Sequence, residues 1–533
     1  MLRVAIIAPP YPLSEAPSPP LGLSYVAAAY EQAGCEVRIF DYIVRAYSPA
    51  KLEAEIKAFR PDIVGAGAVT MNFNKAAAIL EHVKKVNPEI LTVMGGPHVS
   101  FDYVNTLNDY PMIDLIMRGE GEATIAELVD VINRRESWQD VAGLAFRGPD
   151  GQVVVTAERP LIEDLDTLPL PARHLLPLSR YQALGYSVSI ITSRGCPNKC
   201  IFCLGRRMVG YKVRFRSIDR VLDEIEQLLS LGITRVNISD DLFTANRARC
   251  LKFCERVKER GIKFGWSAFS RVNTVDEELL NAMASAGCDS ISFGVESGCE
   301  EMLKVARKGI TTDQARKAVA ACKASGMTAH ASFIVGLPGE SPESLAATRK
   351  LAEELDIEHG YHFFSPFPGT TVLENLPEYD IEILTKDWDR YDANEPIVRT
   401  SKLEPQQMKD FVESCYQIHY DNERLMKQRI ADGTATDQEK LRILGEQRMR
   451  LIFDILSQDL IETHGQASQA DDHLALLSNR VAEATGIDQA FTLFTLDSLI
   501  KAGYVKTEIT SSDQIRYFWT HNAKTTQYAT SLH

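Results

Sequence analysis

Two long stretches of this chain alternate short apolar runs with amphipathic ones, and that alternation limits what it can fold into. In residues 1–135 the runs LRVAIIAP, CEVRIFDY, DIVGAGAV, ILTVMGG and DLIMRG read as strands. LGLSYVAAAYEQAG, PAKLEAEIKAFR, NKAAAILEHVKKV and EATIAELVDVINR carry helical spacing between them. Fully apolar strands separated by amphipathic helices predict a parallel sheet covered on both faces, a doubly wound α/β domain. Such sheets take ligands at the carboxyl ends of their strands. A second series follows in residues 188–400. Its strands are SVSIITSRG, RVNISDD, KFGWSAFSR, SISFGVESG, TAHASFIVGLPGE and the run beginning HGYHFF, each but the last followed by a helical stretch. Between the two series, residues 136–187 form a linker. Its segment PLIEDLDTLPLPARHLLPLSRY is rich in Pro and Leu and is expected to wrap without regular structure.

The chain has 533 residues, enough for two to four domains. Its net charge of −14 argues against bulk nucleic-acid binding, which needs a basic surface. No apolar run reaches the length of a membrane span, and the N-terminus lacks a signal-peptide cleavage pattern, so a cytoplasmic location is expected. Ten cysteines in a chain of this length do not make a disulfide framework. Cys250 and Cys254 fall on one face of the helical run RARCLKFCERVKERG and read as core residues.

Cys196, Cys200 and Cys203 are different. They lie in SRGCPNKCIFC, directly after a predicted strand. Three thiolates can hold three irons of a four-iron, four-sulfur cluster, which normally needs four protein ligands to close. The alternatives are a zinc knuckle or three buried thiols. A zinc site needs a fourth Cys or His nearby, and the nearest histidines, His174 and His330, are outside the loop. The C-x-x-x-C-x-x-C spacing resembles that of the radical S-adenosylmethionine (SAM) enzymes, in which SAM chelates the open iron. The resemblance implies a partial (β/α)6 barrel over residues 188–400 and an electron-donating partner such as a flavodoxin or ferredoxin.

The resemblance also assigns residues, and the barrel rule that active groups follow the strands selects the same loops. Phe202 matches the aromatic position that packs near the adenine. Asp240 and Asp241 stand in DDLFT, which resembles the DDxFT of cobalamin-linked members and faces the methionine part of SAM. Ser267 and Arg271 follow the third strand, and Arg271 suits a carboxylate. Glu296 and Ser297 in GVESG match the ribose loop, and Val335 and Gly336 in VGLPGE match the adenine loop. Phe364, Pro366, Phe367, Pro368 and Gly369 form a rigid run suited to a substrate wall or to the core.

Residues 1–135 resemble the cobalamin-binding domains that precede many radical SAM barrels. Two small-residue turns carry this likeness, one at Thr70 in VTMN and one at Gly95, Gly96, Pro97 and His98 in GGPH. The D-x-H-x-x-G signature that supplies a cobalt ligand is missing, so cobalamin is expected without a histidine beneath the cobalt, and a fold that has lost the cofactor is the alternative. Residues 401–533 read as helical, with a winged-helix-like end in which a helix stops at Gly503 before two strands.

The resulting expectation is an enzyme with a four-iron, four-sulfur cluster, SAM and cobalamin that methylates an unactivated carbon of a small molecule, lipid or peptide. The same architecture would serve a cyclase or a rearrangement. A non-catalytic cobalamin or redox sensor is the alternative from another class, though a sensor has no need of an open iron. A methylthiotransferase is disfavoured, because residues 1–195 hold only Cys35 where that family needs three further cysteines for a second cluster.

Overall fold

A computed structural model of the chain describes residues 1–12, 14, 16–468, 472–511 and 514–522. Five parallel strands, β1 (Arg3–Ala8), β2 (Glu36–Asp41), β3 (Ile63–Gly67), β4 (Leu91–Gly95) and β5 (Leu115–Met117), form the predicted N-terminal sheet. Their order is β2-β1-β3-β4-β5. Helices lie on both faces, and each face has its own core. One is built around Phe73, Leu80 and Val99, the other around Tyr30, Ile125 and Leu128. Helix starts follow the sequence signals. Ser48 accepts a hydrogen bond from the Lys51 amide at the head of Pro49–Phe59, and Ser217 does the same for Arg220 at the head of Ile218–Ser230.

The linker departs from expectation. Residues Leu144–Arg147 (β6) and Val153–Val155 (β7) add two antiparallel strands to the β5 edge, and Leu178–Leu184 is a helix. The turn residues Gly148-Pro149-Asp150-Gly151 between two short apolar runs are a hairpin signal that composition alone obscured. Two further short helices, Pro97–Phe101 and Tyr103–Asp109, follow β4.

The second series forms a six-stranded parallel sheet, β8 (Val188–Ile190), β11 (Arg235–Ile238), β12 (Gly265–Ser270), β13 (Cys288–Glu296), β14 (Thr328–Val335) and β15 (Glu358–Phe363), in that spatial order. Strands β8 and β15 are its two edges, so the barrel is partial. After β8 a two-residue antiparallel ladder of β9 (Ser193–Arg194) and β10 (Arg214–Phe215) closes the base of the cysteine loop. A small ladder, β16 (Glu382–Ile383) with β17 (Val398–Arg399), carries a loop back towards the N-terminal domain.

The C-terminal region has two long helices, Pro405–Ala431 and Asp437–Ser457, then the short helix Leu460–His464. A three-stranded antiparallel sheet of β18 (Gln466–Ser468), β19 (Val505–Ser511) and β20 (Gln514–Trp519) packs with the helices His473–Thr485 and Gln489–Lys501. The turn between β19 and β20 and residues 523–533 lie outside the described residues. This region is tied to the first domain by Lys51 on Asp459 at 2.5 Å, and the linker by Tyr181 on Asp41 at 2.7 Å. Among the described residues no helix is long and apolar enough to cross a membrane.

Candidate functional site

The cysteine loop is held by geometry that its sequence makes possible. Gly195 has φ +115°, and a Cβ there would sit 2.4 Å from the Lys212 carbonyl, so only glycine lets the two ends of the loop close. Each thiol sulfur receives one N–H. Asn198 Nδ2 lies 3.3 Å from Cys196 Sγ, the Gly205 amide 3.4 Å from Cys203 Sγ, and Arg271 Nη1 3.5 Å from Cys200 Sγ. Donors placed on all three sulfurs suit thiolates, and hydrogen bonds to sulfur are among the features that set a cluster's potential. Among the described residues no three His, Cys, Asp or Glu side chains converge on a single ion. Ligands to different irons of a cubane need not converge that closely.

The three cysteines open onto a cavity of 570 Å³ whose wall also includes Phe202, Asp241, Arg271 and Glu296. This is a volume suited to a nucleoside-sized ligand. Asp241 accepts from the Gly195 amide at 3.3 Å, and burial raises its pKa. Gly205 leaves room beside it, since a Cβ there would lie 2.6 Å from the Asp241 carboxylate. Glu296 has φ +69° and forms a buried ion pair with Lys308 at 2.6 Å. Gly294 makes space for that pair, for a Cβ would meet Glu296 Oε1 at 2.5 Å and Lys308 Nζ at 2.8 Å. Lys308 Nζ also stands 5.9 Å from the centre of the Phe202 ring.

Other expected residues are placed differently. Asp240 is not open to the cavity. Its carboxylate accepts from the amides and hydroxyls of both Thr192 and Ser193, at 2.6–3.1 Å, and so pins the strand that leads into the cysteine loop. Ser297 is fully buried and bonds Thr348 at 3.1 Å. Arg271 is less free for a carboxylate than its position suggested, because besides Cys200 it donates to the Lys308 carbonyl. Ser267 is on the barrel's inner face but donates to Asn237 at 3.0 Å. Val335 is in the core, and Gly336, at φ +96°, packs under Met408 and Val398. Its amide donates to Glu340, whose fully buried carboxyl also accepts from Leu337 and is pushed by burial up to about 8.

At the carboxyl edge of the first sheet, His98 is completely buried. Its Nδ1 is 3.2 Å from Thr70 Oγ1, its ring packs on Phe73 and against the edge of Trp388, and burial lowers its pKa to about 4. It is a neutral packing residue of the loop. Gly96, at φ +106°, is fixed by the fold, since a Cβ would lie 2.6 Å from the Ala68 carbonyl. Gly95 is not so fixed, its nearest neighbour being the Met117 carbonyl at 3.6 Å. Pro97 opens the helix Pro97–Phe101. The edge is bare elsewhere, with nothing within 4 Å of a Cβ at Gly22 or Gly119 and with Val69 40% exposed. Bare backbone of this kind fits the close approach of a large ligand.

Sequence reading missed the groups that join the two domains. Glu120 and Glu122, in the run RGEGE after β5, reach the base of the cysteine loop. Glu120 forms a two-toothed pair with Arg214 at 2.7 and 2.9 Å, and Glu122 pairs with Arg194 at 2.5 Å. Phe101 packs on Gly369, where a Cβ would overlap its ring at 2.2 Å, so the FPGT loop meets the helix that follows β4.

Residues 190–352 match the family model described as the radical SAM superfamily, and residues 14–129 match the B12 binding domain. An uncharacterized methyltransferase of Pyrococcus horikoshii is 35% identical over 405 residues, 75% of this chain and 88% of that one. The chain belongs to the radical SAM enzymes that carry a B12-binding domain. The anaerobic magnesium-protoporphyrin IX monomethyl ester cyclase of Rubrivivax gelatinosus is 31% identical to this radical SAM enzyme, over 77% of it and 75% of the cyclase. The same fold is found in the radical SAM methyltransferase TsrM of Kitasatospora setae, solved with cobalamin and a four-iron, four-sulfur cluster. That likeness has a TM-score of 0.64 at 18% identity and covers 94% of this chain and 98% of the other.

Proposed function

We propose that this enzyme cleaves SAM reductively and uses the resulting 5′-deoxyadenosyl radical, with cobalamin, to methylate an unactivated carbon. The observation that carries the reading is the arrangement of three cysteines, each with an N–H on its sulfur, at the mouth of a cavity that abuts a B12-binding domain. A four-iron cluster supplies one electron to SAM, and cobalamin supplies a transferable methyl group. Cys196, Cys200 and Cys203 are the proposed cluster ligands. Phe202, Asp241 and Glu296 with Lys308 line the proposed SAM cavity, and Arg271 braces the cluster loop against the turn at Lys308. Gly95 and the bare edge around it form the proposed cobalamin shelf, with the buried pair Thr70 and His98 behind it and His98 not on the cobalt. The similarity to the Rubrivivax cyclase carries a second reading, ring closure on the same scaffold.

Anaerobic reconstitution with iron and sulfide tests the first step. It should give about four irons per chain, as one cluster requires, and the reduced protein should release 5′-deoxyadenosine from SAM. Cys203→Ala should lose both. Product mass then separates methylation, which also releases S-adenosylhomocysteine, from cyclisation, which does not. The cobalt is proposed to carry neither a histidine nor the cofactor's own lower base, and an electron paramagnetic resonance spectrum of the cob(II)alamin form with strong nitrogen splitting would refute that. The reductant is proposed to be a small flavodoxin- or ferredoxin-like protein.

A further inference from the structure

Apart from Phe269 and Ile334, the inner face of the barrel over β12–β15 carries hydroxyls, imidazoles and glycines where barrels of this kind are filled by Val, Ile and Leu. The strand register sets Phe269 beside Ser292, Ser292 beside His330, Gly294 beside Ser332, Ser332 beside Gly360 and Ile334 beside His362. The alternating residues Ile291, Phe293, Ala331, Phe333 and Tyr361 are buried in the core. Phe269, Ser292, Gly294 and Ser332 all line the cavity that holds the cysteines, so this face and that cavity are continuous.

The polar groups fall into two sets. On β8, β11 and β12 they satisfy one another in a chain, Ser267 to Asn237 at 3.0 Å, Asn237 to Ser239 at 2.9 Å and Ser239 to Ser189 at 3.1 Å. On β13, β14 and β15, Ser292, Ser332, His330 and His362 have no side-chain hydrogen bond among the described residues. The two imidazoles converge over the bare backbone of Gly360, where a Cβ would lie 3.4 Å from His362 Nε2 and 3.9 Å from His330 Nε2. Hydroxyls and imidazole N–H groups on one wall are donors waiting for an acceptor. The charge at the cavity points the same way. Six cationic side chains line it against two carboxylates, Asp241 and Glu296, in a chain of net charge −14. Lys199, Arg206 and Arg307 have no carboxylate partner among the described residues. Neither SAM, whose sulfonium and ammonium outweigh its carboxylate, nor a cluster on three thiolates, which adds about one or two negative charges, balances them. Glu358, exposed at the amino end of β15, is the register partner of His330 and is the carboxylate beside that imidazole, one row further from the cysteines than Ser332 and Gly360.

We infer that the β13–β15 wall, running from Ser292 and Ser332 on the cavity to His330 and His362 beside them on the same face, is the substrate subsite and that it takes an oxyanion, a carboxylate or phosphoryl group, rather than a hydrocarbon surface. This rests on the cavity being the reaction site. A hydrocarbon would leave four donors unpaired, and such pairing losses are what polar walls select against.

The test uses the full chain reconstituted anaerobically with cluster, SAM and cobalamin. Histidine carbethoxylation is followed peptide by peptide by mass spectrometry, with methylphosphonate, acetate or neither added. One of the anions should slow modification of His330 and His362 about tenfold at roughly ten times its dissociation constant, by mass action. The exposed His174 should be unaffected. Protection by methylphosphonate alone assigns a phosphoryl group, by acetate alone a carboxylate, and by both an oxyanion of either kind. In His362→Phe, with iron content unchanged, protection at His330 should disappear. Protection by neither anion, equal slowing at His174, or protection of His330 that survives His362→Phe overturns the inference. Cobalamin binding and deoxyadenosine release are read on the same sample, so failure of the proposed function shows there and not in the protection.

Discussion

Single atoms decide several of the roles in this protein. Glu340 is a carboxyl with no solvent contact and one oxygen, Oε1, without a partner among the described residues, so burial outweighs the two amides on its other oxygen. Its pKa rises from 4.5 to about 8 on folding, which makes the folded state the better proton holder. The contribution is therefore greatest below the ordinary carboxyl range and is lost as pH rises towards 8, with a slope of at most about 1.4 kcal/mol per pH unit. Glu340→Gln should flatten the fall in melting temperature between mildly acidic and mildly alkaline pH. A parent chain whose melting temperature does not fall over that interval would contradict this. Glycines divide just as sharply. Gly96→Ala should cost about 1–3 kcal/mol, from the positive φ and the clash with Ala68. Gly95→Ala should stay within about 1 kcal/mol. Chemical denaturation of both variants checks this, and it makes Gly95 the position at which to probe cobalamin binding without disturbing the fold.

At the scale of elements, the cysteine loop owes its shape to its neighbours. The β9–β10 ladder is only two residues on each side, too short to be stable alone. Arg214 and Arg194 flank the loop and are answered by Glu120 and Glu122 from the other domain. Arg214 is almost completely buried, so removing its partner leaves a charge with no solvent to take it. Glu120→Ala should therefore destabilise the fold by about 3–5 kcal/mol. It should also reduce iron uptake, although residue 120 is not a ligand. Iron content per folded chain, set against the melting temperature, checks both parts. Full iron loading at unchanged stability would show that the ladder stands without this pair.

For the whole molecule, the question is how two cofactor domains act on one carbon. The contact of Phe101 with Gly369 and the guanidinium of Arg207, 5.8 Å from the centre of the Phe101 ring, join the helix after β4 to the barrel mouth. Trp388, on the loop carried by β16 and β17, packs on His98 and covers the same edge. These contacts set the distance between the proposed radical and methyl sources, and small displacements of reacting groups cost large factors in rate. Phe101→Ala should leave deoxyadenosine release intact while methyl product falls by about tenfold or more. Both products are measured in one anaerobic assay. Parallel loss of the two would place Phe101 in the fold of the cluster site instead.

Local signals were enough for much of this. Apolar runs of strand length between amphipathic helices gave the two parallel sheets, because burial on both faces leaves no other pattern, and the spacing of Cys196, Cys200 and Cys203 gave the cluster motif. Phe202, Asp241, Arg271 and Glu296 do meet in one cavity, since loops after parallel strands share one end of the sheet. What sequence could not carry was partnership between distant residues. DDLFT offers two adjacent carboxylates, and only the packed strands assign Asp240 to Thr192 and Ser193 and leave Asp241 facing the cavity. GGPH offers an imidazole, and only the enclosure by Phe73 and Trp388 makes it a neutral packing group. Lys308, Glu120 and Arg214 carry no motif of their own. Their roles arise from charges brought together across 12 and 94 positions of chain, and pairing over such separations is set by tertiary packing, which leaves no periodic trace in the sequence.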